Sequence, residues 1–372
     1  MRMNNIYISG TGLWIPPYGI TNDELMESYN AYVKKFNTDN SEEIASGAIK
    51  ELSPSSSEFV EKASGIKHRY VIEKDHALDP NYMKPLIPAR DINELSLLAE
   101  IGVKAGKDAM KNAGVTADDI DAVIVSTANL QRAYPAVAIE IQNELGIEGY
   151  GYDMMVACSS TTFGISNAMA DITAGKAETI LVINPEITTA HNNMKSRESH
   201  FIFGDVCTAS VVQLNSSSKN KFKILDTKLK TVFSNNIRNE FGFINHIENK
   251  TYQEDELLFK QNGRSVFKEV CPMVVQLIEE QLNSLNLTTD DISQYWMHQA
   301  NINLNKWILN KLLDGEVDEK RAPNVLDEFG NTGSAGSLIA FHKYNHLEKG
   351  QKGLICSFGG GYSICSIIIE KG

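Results

Sequence analysis

Apolar and polar positions form two similar series along the chain, which predict that one α/β unit occurs twice. In each series a helical apolar pattern precedes a Thr-x-Asp-Asp turn, an apolar strand and a polar strand end. The helical patterns cover residues 94–113 and 265–285. The segments after them match at a constant offset, from Asp118 to Asp290 and from Asn129 to Asn301.

A second pair of segments supports the duplication. Residues 174–183 resemble residues 348–357 at nearly the same offset, and both contain an apolar strand pattern after a polar turn. The two matches together predict an amino-terminal half at residues 1–215 and a carboxyl-terminal half at residues 222–372.

Three polar segments interrupt this pattern. Residues 216–221 are predicted to be a surface connection between the halves. Residues 36–58 and 75–92 are rich in Ser, Asn, Asp and Pro, and we expect them to form a cap of loops or short helices over the first half.

Composition narrows the class of protein. The chain has 372 residues, 42% of them hydrophobic and 22% charged, which is ordinary for a globular protein. A formal net charge of -12 argues against a general affinity for nucleic acid or an anionic membrane. A basic run followed by an apolar stretch, the pattern of a signal peptide, is missing from the start of the sequence. Uncharged apolar stretches of about 18 residues are missing too, so no membrane span is predicted.

Cysteine spacing argues against a zinc site and against a disulfide framework. The cysteines are odd in number, widely scattered and never in C-x-x-C spacing. We therefore expect no metal and a reducing cytoplasm as the location. The five positions are Cys158, Cys207, Cys271, Cys356 and Cys365.

Cys158 is the strongest candidate nucleophile. It lies where an apolar strand-like run gives way to small residues and then to a helical pattern. Unpaired amides and the partial positive charge of a first helical turn favour a thiolate over a thiol. The simpler interpretation is a small buried residue, because free cysteines are among the most buried residue types.

The duplication predicts which groups meet Cys158. Shifting its position by 174 residues, the offset of the second pair of segments, leads to Thr332, beside Asn331, in a segment that also precedes a helical pattern, at residues 338–347. His298 ends a strand of the second half at the position that matches Ser126 of the first. Since reacting groups in α/β sheets gather at the carboxyl ends of strands, a cysteine, a histidine and an asparagine are predicted to converge.

These residue types suit acyl chemistry at a thioester. Cys158 would attack the carbonyl and hold the acyl group. The N–H groups of His298 and Asn331 suit a developing enolate or oxyanion. Three glycines at residues 359–361, after an apolar strand, would let backbone amides approach the ligand as an oxyanion hole. Each feature alone has an ordinary structural explanation, and only their combination favours a catalytic role.

Taken in order, these motifs resemble those of the β-ketoacyl-acyl-carrier-protein synthase III family, within the thiolase-like superfamily. The resemblance covers nearly the whole chain and implies a duplicated, five-layered αβαβα fold of the α/β class. It also implies a homodimer that acts on acyl-CoA and a phosphopantetheinyl acyl carrier protein, without a metal or other cofactor, and without nucleic-acid or membrane partners. The motifs are Val156-Ala-Cys-Ser-Ser160, Ile202-Phe-Gly-Asp205, His298-Gln-Ala-Asn301, Gly330-Asn-Thr-Gly333 and Phe358-Gly-Gly-Gly-Tyr362.

The resemblance implies a ping-pong decarboxylative Claisen condensation that initiates fatty-acid synthesis. Cys158 would take the acyl group, and His298 and Asn331 would stabilise the enolate formed from malonyl-carrier protein. The amides of Cys158 and Gly360 would hold the tetrahedral oxyanion. The polar insertions of the first half look closer to the subgroup that accepts medium-chain primers such as octanoyl.

The resemblance also assigns binding residues. Gly263, Phe267 and Asn301 match positions that line the pantetheine tunnel, and Phe59 stands where the family often has a tryptophan that stacks on adenine. Tyr134 matches a residue that enters the partner subunit's acyl pocket. Two family arginines near the coenzyme A site are replaced, by Ala63 and Asn303.

Four alternatives stay open at this point. A hydroxymethylglutaryl-coenzyme A synthase needs a glutamate base, and Glu186 lies at a strand end, although such an acid more often caps a helix or pairs with a cation. A thiolase needs a second catalytic cysteine, and neither Cys356 nor Cys365 is well placed. The third is a non-catalytic partner subunit of a ketosynthase heterodimer, which usually lacks the cysteine or the histidine. The fourth is a related acyltransferase of a specialised-metabolite pathway.

Overall fold

The structure is a computed structural model that describes residues 5–240, 242–315 and 317–372. Its main sheet has nine strands, and two small two-stranded sheets lie beside it. The strands are β1 (Ile6–Trp14), β2 (Tyr18–Thr21), β3 (His68–Val71), β4 (Ala122–Ser126), β5 (Tyr150–Met154), β6 (Thr179–Glu186), β7 (Val206–Leu214), β8 (Phe222–Thr231), β9 (Ile237–Arg238), β10 (Lys260–Gln261), β11 (Ile292–Met297), β12 (Lys352–Gly359) and β13 (Ser363–Lys371). The helices are α1 (Asn22–Asp39), α2 (Ser41–Ala45), α3 (Ser57–Ser64), α4 (Leu97–Ala113), α5 (Val137–Leu145), α6 (Ser160–Thr173), α7 (Glu254–Leu257), α8 (Gly263–Ser284), α9 (Ile302–Leu313), α10 (Leu326–Phe329) and α11 (Gly336–Lys343).

The strand order repeats within the main sheet. The first half runs β1-β7-β6-β4-β5, and the second runs β8-β13-β12-β11 in the equivalent order. The parallel pair β4–β6 corresponds to the parallel pair β11–β12, and the other neighbours in this shared order are antiparallel in both halves. The halves join where β1 pairs with β8, through Tyr7 with Lys223 and Ile8 with Phe222.

Three apolar clusters define the layers. In the central cluster, α6 and α11 pack between strands of both halves. The outer clusters place α4 and α5 on the first half and α8 and α9 on the second. The strand β6 is buried along its whole length, so its apolar residues, 180–183, are consecutive and do not alternate with polar ones. This arrangement is the predicted αβαβα fold, and the α/β fold class is confirmed.

Local capping explains where predicted element bounds shift. The helix expected from residue 94 starts at Leu97, because the Ser96 hydroxyl accepts a hydrogen bond from the amide of Ala99 at 3.3 Å. The helix α8 starts two residues earlier than expected, after Asn262, whose side chain accepts from the amide of Ser265. The pattern at residues 338–347 becomes the helix α11, which ends at Lys343.

The repeated Thr-x-Asp-Asp turns fold alike. Asp119 accepts hydrogen bonds from the amide and hydroxyl of Thr116 at 2.8 and 2.9 Å, and Asp291 does the same for Thr288 at 2.7 and 2.9 Å. Each turn leads directly into a parallel strand whose carboxyl end faces the candidate site, β4 or β11.

The polar segments take different forms. Residues 36–58 contain the end of α1, the short α2 and the start of α3, whereas residues 75–92 form turns and irregular chain. Within the described ranges, no helix is long and apolar enough to cross a membrane. The same ranges contain no group of three His, Cys, Asp or Glu side chains that could hold a metal ion.

Candidate active site

Cys158 lies in a short 3₁₀ turn, Ala157–Ser159, between β5 and α6. The preceding Ala157 has a φ of 45°, a left-handed conformation that is uncommon outside glycine. Of the five cysteines, all of which are free, Cys158 is the one that is not buried. Cys158 is therefore the least enclosed of the five residues, and the other four lie within strands or a helix.

The surroundings of the Cys158 sulfur oppose the thiolate that its position before a helix favours. Burial of the sulfur, and then the negative charge of Glu186, raise the pKa of the Cys158 thiol to about 12. Hydrogen bonds from the amides of Gly360 and of Cys158 itself act in the opposite direction and are outweighed. The free enzyme holds a neutral thiol, so acylation requires the thiol proton to leave as the substrate binds.

His298 follows β11 and is only 2% exposed. Its ring packs edge-on against Phe358, with the ring centres 5.2 Å apart, and its Nδ1 is buried without a hydrogen-bond partner among the described residues. Burial lowers the pKa of His298 to about 4, so the imidazole is neutral near pH 7. A neutral imidazole can donate one N–H to a ligand without carrying a charge.

Asn331 is held by backbone pairing with the turn before β7. Its amide donates to the carbonyl of Ile202 at 2.9 Å, and its carbonyl accepts from the amide of Gly204 at 3.1 Å. The side-chain Oδ1 accepts from the amide of Gly333 at 3.0 Å, which leaves the Nδ2 group available as a donor. Gly336, five residues after Asn331, begins α11, which is the counterpart of α6 in the first half.

Glu186, at the end of β6, is the buried acid of the site. Its carboxylate accepts from the amide of Ala128 at 3.0 Å, from the amide of Ser334 at 3.2 Å and from the Ser334 hydroxyl. Burial raises its pKa to about 7 despite these hydrogen bonds. The sequence-based expectation of a helix cap or a cation pair is wrong, because the partners are neutral groups from both halves.

The glycine loop lies directly against Cys158. A β-carbon on Gly359 would stand 2.5 Å from Cβ and 3.0 Å from Sγ of Cys158. Gly360 follows with its amide on the sulfur. This close approach of backbone explains why glycines occur here, as the sequence predicted.

A cavity of about 750 Å³ opens beside the thiol. Of the predicted site residues, Cys158 and Gly360 line it, and the others do not. Each of the other two catalytic candidates is linked to this region through one neighbour. The ring of His298 packs on Phe358, which precedes Gly359. The Oδ1 of Asn331 accepts from the amide of Gly333, which lines the cavity. The structure therefore brings the three predicted catalytic side chains to one region but exposes only the cysteine to this cavity.

The predicted tunnel residues gather around α3, α8 and α9. Asn301 donates to the carbonyl of Ala63 at 2.8 Å and accepts from the amide of Asn303 at 2.8 Å, so its side chain ties α9 to α3. Phe267 packs edge-on against Trp307 at 6.0 Å, and Gly263 begins α8 with open space where a β-carbon would lie. The Asn303 that replaces a family arginine donates to the carbonyls that end α3.

Phe59 and Tyr134 differ in their surroundings. Phe59 packs edge-on against Phe201 at 6.1 Å, and the guanidinium of Arg197 lies 4.1 Å from the centre of its ring. Tyr134 is 84% exposed beside the cavity residue Ala133.

Two features of the site were not predicted from the sequence: the contact of Arg197 with Phe59, and the place of His191 in the cavity wall. Arg197 is far from Phe59 along the chain, and the contact has no local sequence signal. His191, which lines the cavity, lies five residues after Glu186, and its position shortly after an apolar strand could have marked it.

Known proteins that are similar to this chain are named as synthases that act on acyl carrier protein. The model of the 3-oxoacyl-[acyl-carrier-protein] synthase III family matches residues 152–232, and the model of its C-terminal part matches residues 282–371. The β-ketodecanoyl-[acyl-carrier-protein] synthase of Pseudomonas aeruginosa is 50% identical over 349 residues, which are 93% of this chain and 100% of that protein. The β-ketoacyl-[acyl-carrier-protein] synthase III of Granulibacter bethesdensis is 26% identical over 374 residues, 99% and 100% of the two chains.

Solved structures agree on the fold. The synthase III of Aquifex aeolicus superimposes with a TM-score of 0.76 at 21% identity, covering 99% of both chains. The priming β-ketosynthase of the R1128 polyketide pathway gives 0.78 at 21% identity, covering 99% of this chain and 96% of that one.

The family models and the relative at 50% identity, on a duplicated α/β fold with a free cysteine before its central helix, identify a condensing acyltransferase. The chain belongs to the β-ketoacyl-[acyl-carrier-protein] synthase III family, as its motifs indicated.

Proposed function

We propose that this enzyme condenses a medium-chain acyl-CoA primer with malonyl-acyl carrier protein to give a 3-oxoacyl-acyl carrier protein. The observation that carries the proposal is the thiol of Cys158 at the wall of a 750 Å³ cavity, which is within the usual range for ligand sites. A relative at 50% identity is named for a β-ketodecanoyl product. Because condensation with loss of carbon dioxide adds two carbons, a ten-carbon product implies an eight-carbon primer.

The reaction has two halves. In the first, Sγ of Cys158 attacks the thioester carbonyl, the carbon–sulfur bond to coenzyme A breaks, and the thiol proton leaves on the coenzyme. The amides of Cys158 and Gly360, which hydrogen-bond the sulfur, would hold the oxyanion of the tetrahedral intermediate.

In the second half, the malonyl group loses carbon dioxide and its electron pair forms an enolate. The enolate carbon attacks the acyl thioester, and Cys158 leaves as a thiolate that solvent reprotonates. His298 and Asn331 each have a donor that no described residue engages, and they would stabilise the enolate oxygen. A neutral His298 suits this role because it donates a hydrogen bond, and its N–H is far less acidic than that of an imidazolium, which would protonate the carbanion.

The proposal includes a homodimer in the cytoplasm. Tyr134 is 84% exposed, and Phe243 and Met155, which line the cavity, are 69% and 58% exposed. Exposed apolar side chains around a cavity favour coverage by a second protein surface. A second copy, with its own Tyr134 turned towards the cavity, would close the acyl pocket.

Intact-protein mass spectrometry with acyl-CoA thioesters of graded length tests the proposal. We expect an octanoyl adduct on the wild type, transfer of that adduct to a 3-oxodecanoyl carrier protein on adding malonyl-carrier protein, and no adduct on Cys158→Ala. An adduct that persists in Cys158→Ala, or a wild type that loads acetyl but no medium-chain group, would overturn it.

A further inference from the structure

The cavity beside Cys158 contains a buried imidazole that the condensation does not use. His191 ends the short 3₁₀ turn after β6, lines the cavity and is 9% exposed. Its ring is edge-on to Phe203, with centres 5.0 Å apart, and nearly parallel to Phe259 at 6.3 Å. A polar ring therefore stands in an aromatic wall.

The proton of His191 can be placed from its neighbours. Asn129 donates its Nδ2 to the Nδ1 of His191, and the Oδ1 of Asn129 accepts from Asn239 at 3.5 Å, which orients the amide. Burial lowers the pKa of His191 to about 4, so the ring is neutral near pH 7. A neutral imidazole that accepts at Nδ1 carries its proton on Nε2.

That Nε2–H group has no hydrogen-bond partner among the described residues. Thr188, the buried hydroxyl of the same cavity wall, is already satisfied, because it donates to the carbonyl of Gly204 at 2.5 Å. The other cationic or imidazole side chains of the cavity, Arg132, Arg238 and His246, are half-buried or exposed. His191 thus offers a donor, on a largely buried ring, to which a ligand in this cavity could supply an acceptor.

We propose that His191, oriented by Asn129, forms a polar subsite that binds a hydroxyl oxygen on the chain of an oxygenated acyl primer. This inference rests on the proposed function, because it requires the primer to occupy the cavity beside Cys158. A plain alkyl chain leaves the Nε2–H group buried and unpaired, which disfavours it. Sites built to hydrogen-bond a substrate oxygen discriminate strongly against the analogue that lacks it. We expect a preference of about tenfold or more.

The experiment compares octanoyl-CoA with a series of hydroxyoctanoyl-CoA isomers that carry the hydroxyl at successive carbons. Release of coenzyme A gives kcat/KM for loading, and intact mass identifies the adduct. The wild type should prefer at least one hydroxy isomer over octanoyl-CoA. His191→Phe should lose that preference while it still loads octanoyl, and His191→Gln, which keeps a donor, should retain part of it.

A matched control is His346→Phe, which changes a histidine that does not line this cavity and should leave the preference intact. A wild type that loads octanoyl without preferring any hydroxy isomer overturns the subsite alone, and so does a His191→Phe variant that keeps the preference. If His191→Phe loads normally with the same preference but condenses poorly, His191 serves the malonyl group instead and the inference fails. A wild type that loads no medium-chain primer overturns the proposed function itself.

Discussion

Substituting Gly359 by alanine tests directly whether the glycine loop positions Cys158. Gly359 has a φ of 178°, which is extended backbone that any residue adopts, so the substitution introduces no backbone strain. The new β-carbon would lie 2.5 Å from Cβ of Cys158, whereas ordinary contacts of this kind begin at 3.4 Å. Either the loop or the cysteine must move by about 1 Å to relieve the overlap.

A shift of that size should be visible in the rate and, less strongly, in the stability. A misplacement of about 1 Å can cost about a hundredfold in rate, and overpacking typically costs about 1–3 kcal/mol of unfolding free energy. We therefore expect Gly359→Ala to load octanoyl about a hundredfold more slowly. In denaturant it should still unfold in one transition, with a somewhat lower unfolding free energy. The assays are coenzyme A release under single-turnover conditions and denaturant unfolding.

Gly315→Ala is the matched control, because a β-carbon there would meet no atom within 4 Å. It should change neither measurement. A Gly359→Ala enzyme that loads at the wild-type rate would refute the reasoning, since the contact between the loop and Cys158 would then be irrelevant to acylation.

Four further predictions follow from the site. His298→Ala should still form the acyl-enzyme but condense about 100 to 1,000 times more slowly, because one donor to the enolate is lost; loss of loading in a folded variant would contradict this role. In the wild type, the condensation rate should show no titration of His298 between pH 6 and 8, since the pKa of its ring is about 4. Glu186→Gln should lower the pKa of the Cys158 thiol, because the acid charge that forms above about pH 7 now raises it; alkylation by iodoacetamide should then begin at lower pH, and an unchanged profile would exclude the coupling. Tyr134→Ala should alter the chain-length profile of loading without changing the condensation chemistry, whereas an unchanged profile or a monomeric wild type would remove the proposed dimer contact.

The predicted parts of the fold are those with local signals. The Thr-x-Asp-Asp turns, the strands after them and the helix after Cys158 all depend on residues close together in sequence, and each forms as predicted. The glycine loop was also predictable, because three consecutive glycines after an apolar strand already indicate a close backbone approach.

The features that the sequence did not reveal depend on pairs far apart in the chain. Glu186 and Ser334 meet across the two halves, and nothing near either residue marks the contact. The raised pKa of Cys158 has the same origin, because a helix start favours the thiolate locally while burial and a distant acid oppose it. Local spacing predicts Cys158 as the nucleophile, and that role stays a prediction, whereas the pKa of its thiol depends on groups that local spacing does not reveal.

The duplicated fold explains why a buried acid can be kept beside a thiol that must react. Thr161, in the first turn of α6, donates to the Ser334 hydroxyl at 3.0 Å, and Ser334 donates onward to Glu186. This chain of hydrogen bonds starts in the first turn of α6, just after Cys158. It passes through the turn before α11, in the second half, and ends at the last residue of β6, in the first half. Because the same carboxylate also accepts from the end of β4 through Ala128, it fixes the relative position of elements that sequence separates widely. Burial of the sulfur, and then the charge of this carboxylate, raise the pKa of the Cys158 thiol, so acylation depends on loss of the thiol proton as the substrate binds.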